Sequence, residues 1–279
     1  MRKLNLILIA IIIMFLNTSL PVFSADDSPA VEFSSISRRI PGNWWEGGWD
    51  ELQELQAFIS NYPDQPLLCA QAQYYIGCFY FSIKEYNKAI DAYKTLLSTY
   101  PQATYECQKA QYEIAQIYMN HLNDPEKAIP EYQKVASDYP KTKFTPIAYL
   151  MLGRAYVQTS NPQAAEDAFK KVIDDFPEAR YQRFEAYMEL GDLLIDQFTL
   201  SPENRDKASQ SLSYYKKAYL LCEPNAVSFV VDKISEAFRK LDMSMVRANQ
   251  FIKYQKYGPQ GEDGILGSHD DLTNPLSGF

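Results

Sequence analysis

At 279 residues the chain can form one extended domain or two compact ones, and 46% hydrophobic with 22% charged residues places it among soluble globular proteins. Eleven glycines exclude a collagen-like chain, and four cysteines are too few for a disulfide-dense scaffold. A formal net charge of −8 without any basic block argues against nucleic acid and anionic lipid surfaces as partners.

Residues 1–24 read as a secretory signal peptide. Arg2 and Lys3 form a basic start, Leu4 to Leu16 is almost unbroken aliphatic, and Val22 and Ser24 precede a possible cleavage point. The apolar run is shorter than the roughly 20 residues that span a bilayer. Removing it leaves 25 basic against 35 acidic residues, a net charge of −10, in an exported chain, periplasmic or secreted, with no transmembrane segment in its mature part. Residues 25–43 carry Ser, Pro and Asp without a sustained period and read as a flexible linker. Trp44, Trp45 and Trp49 follow, with Asp50 as a candidate N-cap. The helix after it carries Leu52, Leu55, Phe58 and Ile59 on one face and stops at Pro63. It reads as the second helix of a unit whose first is missing or replaced by the Trp cluster.

A two-helix pattern then recurs. The best-formed copy is Pro146 to Pro177, with Tyr149, Leu152, Gly153 and Tyr156 in one helix, a break at Ser160-Asn161-Pro162, then Ala165, Phe169 and Pro177. Ala70 to Pro101 repeats it with Ile76, Gly77, Tyr80, Ala89 and Tyr93. Gln108 to Pro140 repeats it with Ile114, Ala115, Tyr118, Ala128 and Tyr132, and has one extra residue near Asn123. A fourth copy has Leu190, Gly191, Ser211, Tyr215 and Ala218, with an enlarged loop from Thr199 to Lys207. A degraded fifth pair is expected between Ala226 and Pro259, with Phe229, Ile234 and Phe238 and then Val246, Phe251 and Tyr254. Residues 258–279 read as a disordered tail.

The period of 34 to 39 residues, with bulky–Leu–Gly–Tyr followed by Ala–Phe/Tyr–Pro, resembles the tetratricopeptide repeat over residues 44–257. It departs from that pattern in lacking the first-helix Trp and in the long fourth insertion. Helices ending in Tyr-Pro are similar to those of exported bacterial members, of the outer-membrane assembly lipoprotein or Tol–Pal periplasmic coordinator type. A lipid-accepting cysteine of the first type and front heptads of the second are both missing. The resemblance implies an all-α, right-handed superhelical solenoid of antiparallel helix pairs. It also implies a non-enzymatic scaffold that binds a peptide or amphipathic helix of a protein partner in a groove lined by the first helices, peripheral to an envelope assembly or secretion complex.

Groove positions carried over from the family are Tyr74 and Phe81, then Lys109, Tyr112, Gln116 and Met119, then Leu150, Arg154 and Val157, and finally Met188, Asp192 and Ile195. Helical spacing puts each set on one face, opposite the repeat-core stripe. The rows Tyr74–Tyr112–Leu150–Met188 and Phe81–Met119–Val157–Ile195 are apolar where solvated surface would be polar, which marks an interaction site. Arg154 and Lys109 sit over one half, and Glu185, Asp192 and Asp196 over the other. The excess of 21 Tyr residues raises a second reading, binding of cell-wall or other polysaccharide through Tyr and Trp surfaces. Catalytic, cofactor and metal sites are not expected. His121 and His269 belong to no catalytic motif, and Asp192 with Asp196, one helical turn apart, is the sole pair suited to acid–base or metal chemistry. Cys69 and Cys107 occupy equivalent places in neighbouring units and are the pairing least unsuited to a disulfide; otherwise the cysteines read as small buried apolar groups.

Overall fold

The structure, a computed structural model, describes residues 28–40, 48–200 and 205–240. The signal segment, Trp44 and Trp45, the Val246–Tyr254 helix and the 258–279 tail lie outside the described residues. What is described is all-α, eleven helices and no strand, arranged as antiparallel pairs as the repeat pattern predicts. The chain divides into two compact units, Met1–Cys107 and Gln108–Phe279, and the division falls inside one helix.

In the first unit α1 (Pro29–Arg39) pairs with α2 (Trp49–Asn61), and α3 (Pro66–Ser82) with α4 (Tyr86–Thr99). Helix α1 corrects the expectation of a linker over 25–43. Ser28 caps it by accepting from the Val31 N–H at 3.3 Å, Pro29 sits in its first turn, and Arg38 and Arg39 lie in its last. The Ser-Pro start that reads as loop composition is a helix start. Only Phe33 and Ile36 are buried from this helix, one turn apart, too short a stripe for periodicity to announce. Phe33 packs 5.4 Å from the Phe58 ring, and Glu32 accepts from the Tyr62 hydroxyl. So α2 does have a first helix, and the Trp cluster does not replace it. Helix α2 starts at Trp49 behind Gly48, whose φ of 118° suits glycine, so Asp50 lies in the first turn and is not the cap.

The second unit contains most of α5 (Thr104–Gln116), which runs into a π-helical turn (Ile117–His121), then α6 (Pro125–Asp138), α7 (Phe144–Gln158), α8 (Pro162–Asp175), α9 (Arg180–Leu200), α10 (Arg205–Leu221) and α11 (Val227–Lys240). The π turn absorbs the extra residue seen in the sequence. Its Leu122 N–H reaches back five residues to the Ile117 carbonyl, and Asp124 N–H reaches six to Tyr118. In the neighbouring copies the matching bonds span five, Glu85 to Tyr80 and Asn161 to Tyr156. Lys84, Asn123 and Ser160, all with positive φ, make these turns. The fourth insertion mostly lengthens helices: Thr199 and Leu200 continue α9, and Arg205 to Lys207 begin α10.

Three of the pairs close on glycine. A Cβ on Gly77 would stand 2.3 Å from the Tyr93 ring, one on Gly153 2.3 Å from Phe169, and one on Gly191 2.4 Å from Tyr215. These rings are almost wholly buried and have nowhere to swing.

A second recurrent bond ties each pair to the next. Cys69 Sγ donates to the Tyr62 carbonyl at 3.1 Å, Cys107 Sγ to Tyr100 at 3.3 Å, Thr145 Oγ1 to Tyr139 at 2.5 Å, and Arg183 Nη1 to Pro177 at 2.9 Å. All four donors stand at the same repeat position and serve a carbonyl just past the preceding helix. The cysteines are therefore free donors, not a disulfide pair, and burial raises the Cys107 thiol to about 11, keeping its proton in place.

Gly153→Ala should lower the unfolding free energy by about 1–3 kcal/mol, as overpacking of a filled core does, measured by urea titration. At the cap, Cys107→Thr keeps a donor and Cys107→Val, of the same shape, does not. The Val variant should be the less stable of the two by about 0.5–1 kcal/mol.

Candidate partner-binding face

Ten of the twelve expected groove residues lie in the second unit, on the first helices α5, α7 and α9 and, for Met119, on the π turn that ends α5; Tyr74 and Phe81 belong to α3 in the first unit. There Tyr74 is buried, its ring 5.6 Å from Tyr93, and Phe81 is half-buried, 5.9 Å from Tyr86.

Within the second unit the two apolar rows are not an open groove floor. Met119 is 6% exposed, Leu150 1%, Met188 6% and Ile195 2%. Leu150 packs in one cluster with Ala165, Phe169, Val172, Ala186 and Leu190, residues of three successive helices. Met119 belongs with Tyr132 and Ala128, and Met188 and Ile195 with Tyr215, Val230 and Ile234. These columns fill the seam between one helix pair and the next, and burial of apolar area there is what joins the pairs. The expectation that they form an exposed patch is therefore corrected. Of the apolar row members in the second unit only Val157, 43% exposed, and half-buried Tyr112 reach the surface.

The charges are also tied down. Arg154 Nε meets Glu189 Oε1 at 2.6 Å and its Nη2 meets Glu185 Oε2 at 3.3 Å, while the Tyr181 hydroxyl donates to Glu185 at 2.7 Å. Asp192 accepts from the Tyr215 hydroxyl at 2.6 Å and pairs with Lys233 Nζ at 3.0 Å. Arg154 thus bridges α7 to α9, and Lys233 bridges α11 to α9. The expected grading of charge along the face is largely neutralised by pairing between neighbouring first helices. Glu189 and Lys233 were not singled out by sequence. Glu185 and Glu189 one turn apart, opposite an arginine one repeat earlier, carried that signal. Among the described residues no group of three His, Cys, Asp or Glu side chains is placed to hold a metal ion.

What remains accessible beside Val157 is mainly polar and centred on α5 and α7. Gln116 donates to the Tyr112 hydroxyl, and Asn120 donates to Gln116 in turn. The Tyr112 ring is braced 6.2 Å from Tyr132 and 5.7 Å from Phe144. In the equivalent places Tyr93 donates to Cys78 Sγ at 3.5 Å and Tyr215 to Asp192. Tyr132 is fully buried and its hydroxyl has no partner, because Gln116 is turned to Tyr112 and Asn120 instead. Burial pushes the Tyr132 hydroxyl far above the usual phenol range and also raises the nearby Glu113 carboxyl.

The helix-pair fold and the first-helix face define a repeat protein of the protein-interaction class. Tetratricopeptide repeat family models match residues 71–103 and 109–142, and a further one matches 150–198, so these stretches are tetratricopeptide repeats. Among curated proteins none matches the chain. Among solved structures it is similar to PilW, described as a widely conserved type IV pilus biogenesis factor, at 15% identity and a TM-score of 0.51, covering 84% of this chain and 96% of that one. It is also similar to the MamA RS-1 ArsTM double mutant, at 19% identity and a TM-score of 0.50, covering 70% of this chain and 94% of that one. These likenesses concern the fold. No described helix is long and apolar enough to cross a membrane.

Glu113 supplies a pH test. Its carboxyl is raised in the folded chain by burial, so the folded state binds the proton more tightly than the unfolded chain. That contribution is present below the ordinary Glu range and is lost as pH rises through the folded value. Glu113→Gln should therefore stabilise the chain at pH 7 relative to wild type. The difference should vanish near pH 4, read from urea midpoints at the two pH values.

Proposed function

We propose that this chain is a non-enzymatic protein-interaction scaffold of the bacterial cell envelope, which takes a peptide or helix of its partner on the first-helix face of the second unit. The observation that carries the reading is the accessible centre of that face. Tyr112 is held rigid between two rings, its hydroxyl joins the Gln116–Asn120 chain of hydrogen bonds, and exposed Val157 lies on the next first helix. A braced aromatic beside adaptable amides is the composition of a protein-binding surface, and such residues carry most of the binding energy. The partner reads Tyr112, Gln116, Asn120, Val157 and Gln158, while Met119, Leu150, Met188 and Ile195 serve the seam behind them.

The envelope setting rests on the apolar stretch Leu4 to Leu16 behind Arg2 and Lys3, and on the fold shared with a pilus biogenesis factor. Part of the Tyr excess that suggested a glycan surface is spent in the core. Tyr93, Tyr132 and Tyr215 are among the largest fully buried side chains.

Asn120 and Val157 are both exposed, so charge can be placed there without entering the core. The double variant Asn120→Arg/Val157→Arg should melt like wild type and recover at least about tenfold less protein partner after cross-linking in envelope preparations. Undiminished recovery would remove this face from the account.

A further inference from the structure

A second surface on the same unit lies at the end of the helix pairs where one pair turns into the next. Its origin is Pro146. The first helices α3, α5 and α9 each begin eleven residues before the Gly77, Ala115 or Gly191 position, whereas α7 begins at Phe144, nine before Gly153. Had α7 begun at Thr142 like its counterparts, position 146 would owe an N–H to the carbonyl of residue 142, and proline has none. The chain takes a Tyr139–Lys143 loop instead, with the Thr145 hydroxyl bonded to the Tyr139 carbonyl.

The lost half-turn leaves a cleft of about 860 Å³ between this loop and the one before α9. Its apolar lining comes from Pro146, Ile147, Tyr149 and Phe176, the last two with ring centroids 6.1 Å apart. The loop before α7 brings exposed Lys141, and the segment before α9 brings exposed Asp175 and Glu178. Among the described residues these three charges enter no ion pair, in contrast to Arg154 and Asp192 on the other face.

We propose that the cleft is a separate docking site for an extended protein segment with one bulky apolar side chain, flanked by an acidic residue that lies toward Lys141 and a basic residue that lies toward Asp175 and Glu178. The apolar floor provides the area to cover, and the unpaired charges of opposite sign on the two loops fix the direction of the segment. This site does not rest on the first-helix face, and either can fail alone.

A randomised dodecapeptide display library panned on the full-length chain tests the proposal. The enriched peptides should share the acidic–apolar–basic order and bind at least about tenfold more weakly to the variant Lys141→Glu/Asp175→Lys/Glu178→Lys. Panning on that variant should enrich the opposite order. Ala179→Trp, which fills the cleft without changing its charge, should also abolish binding and guards against a charge variant that misfolds. The proposal is overturned if no shared order emerges, or if the enriched peptides bind both variants as tightly as wild type. Peptides lost only on Asn120→Arg/Val157→Arg would belong to the first-helix face and would equally overturn it.

Discussion

The contact between a glycine and an aromatic ring across three of the helix pairs is the constraint on which their packing depends. At Gly77, Gly153 and Gly191 the ring edge occupies the space a Cβ would need, so the partner helix seats its ring directly against the glycine backbone. In the second unit the neighbouring columns share clusters with these rings, Leu150 with Phe169 and Met188 with Tyr215. The second copy has Ala115 at this position, with fully buried Tyr132 in the same cluster, and it is also the copy whose first helix ends in a π turn. Its tyrosine hydroxyl is the one in this column left without a partner, while those of Tyr93 and Tyr215 are satisfied. The copy that departs from the glycine seat is thus the copy whose polar groups are turned outward.

Between pairs, two further interactions act. A side-chain donor at one repeat position reaches the carbonyl that ends the preceding helix, through a thiol in the first two copies, a hydroxyl in the third and a guanidinium in the fourth. Ion pairs from Arg154 and Lys233 then stitch neighbouring first helices in the second unit. Because these pairs are partly exposed, each contributes modestly to stability, about 1 kcal/mol or less, and their stronger effect is on register. They also decide what a partner meets, since charge already paired within the chain offers little to steer an incoming segment.

Helical pairing, its period and the residues of the glycine seat were legible in the sequence because each is a local spacing repeated several times. Gly153 and Phe169 announce themselves by where they stand. The lining of a face was less legible. Leu150 and Met188 cluster both with their own partner helix and with the first helix of the next pair, and that second contact is not visible in local periodicity. Helix α1 was missed for a different reason: with two buried residues and a Ser-Pro start it has the composition of a linker, and its helicity follows from packing on α2. The cysteines could be aligned by repeat position, yet their role as donors depends on a carbonyl seven residues back, which spacing alone does not single out.

The first helices divide their labour, with Met119 and Met188 in the seam and Val157 and Tyr181 at the surface. Hydroxyl-radical footprinting of the folded full-length chain tests this division directly, because methionine sulfur is intrinsically among the easiest groups to oxidise and so has to be shielded to escape. Met119 and Met188 should be protected to the level of core residues while Val157 and Tyr181 are modified. Oxidation of Met119 and Met188 at the rate of exposed side chains, in a chain that is still folded, would contradict the account.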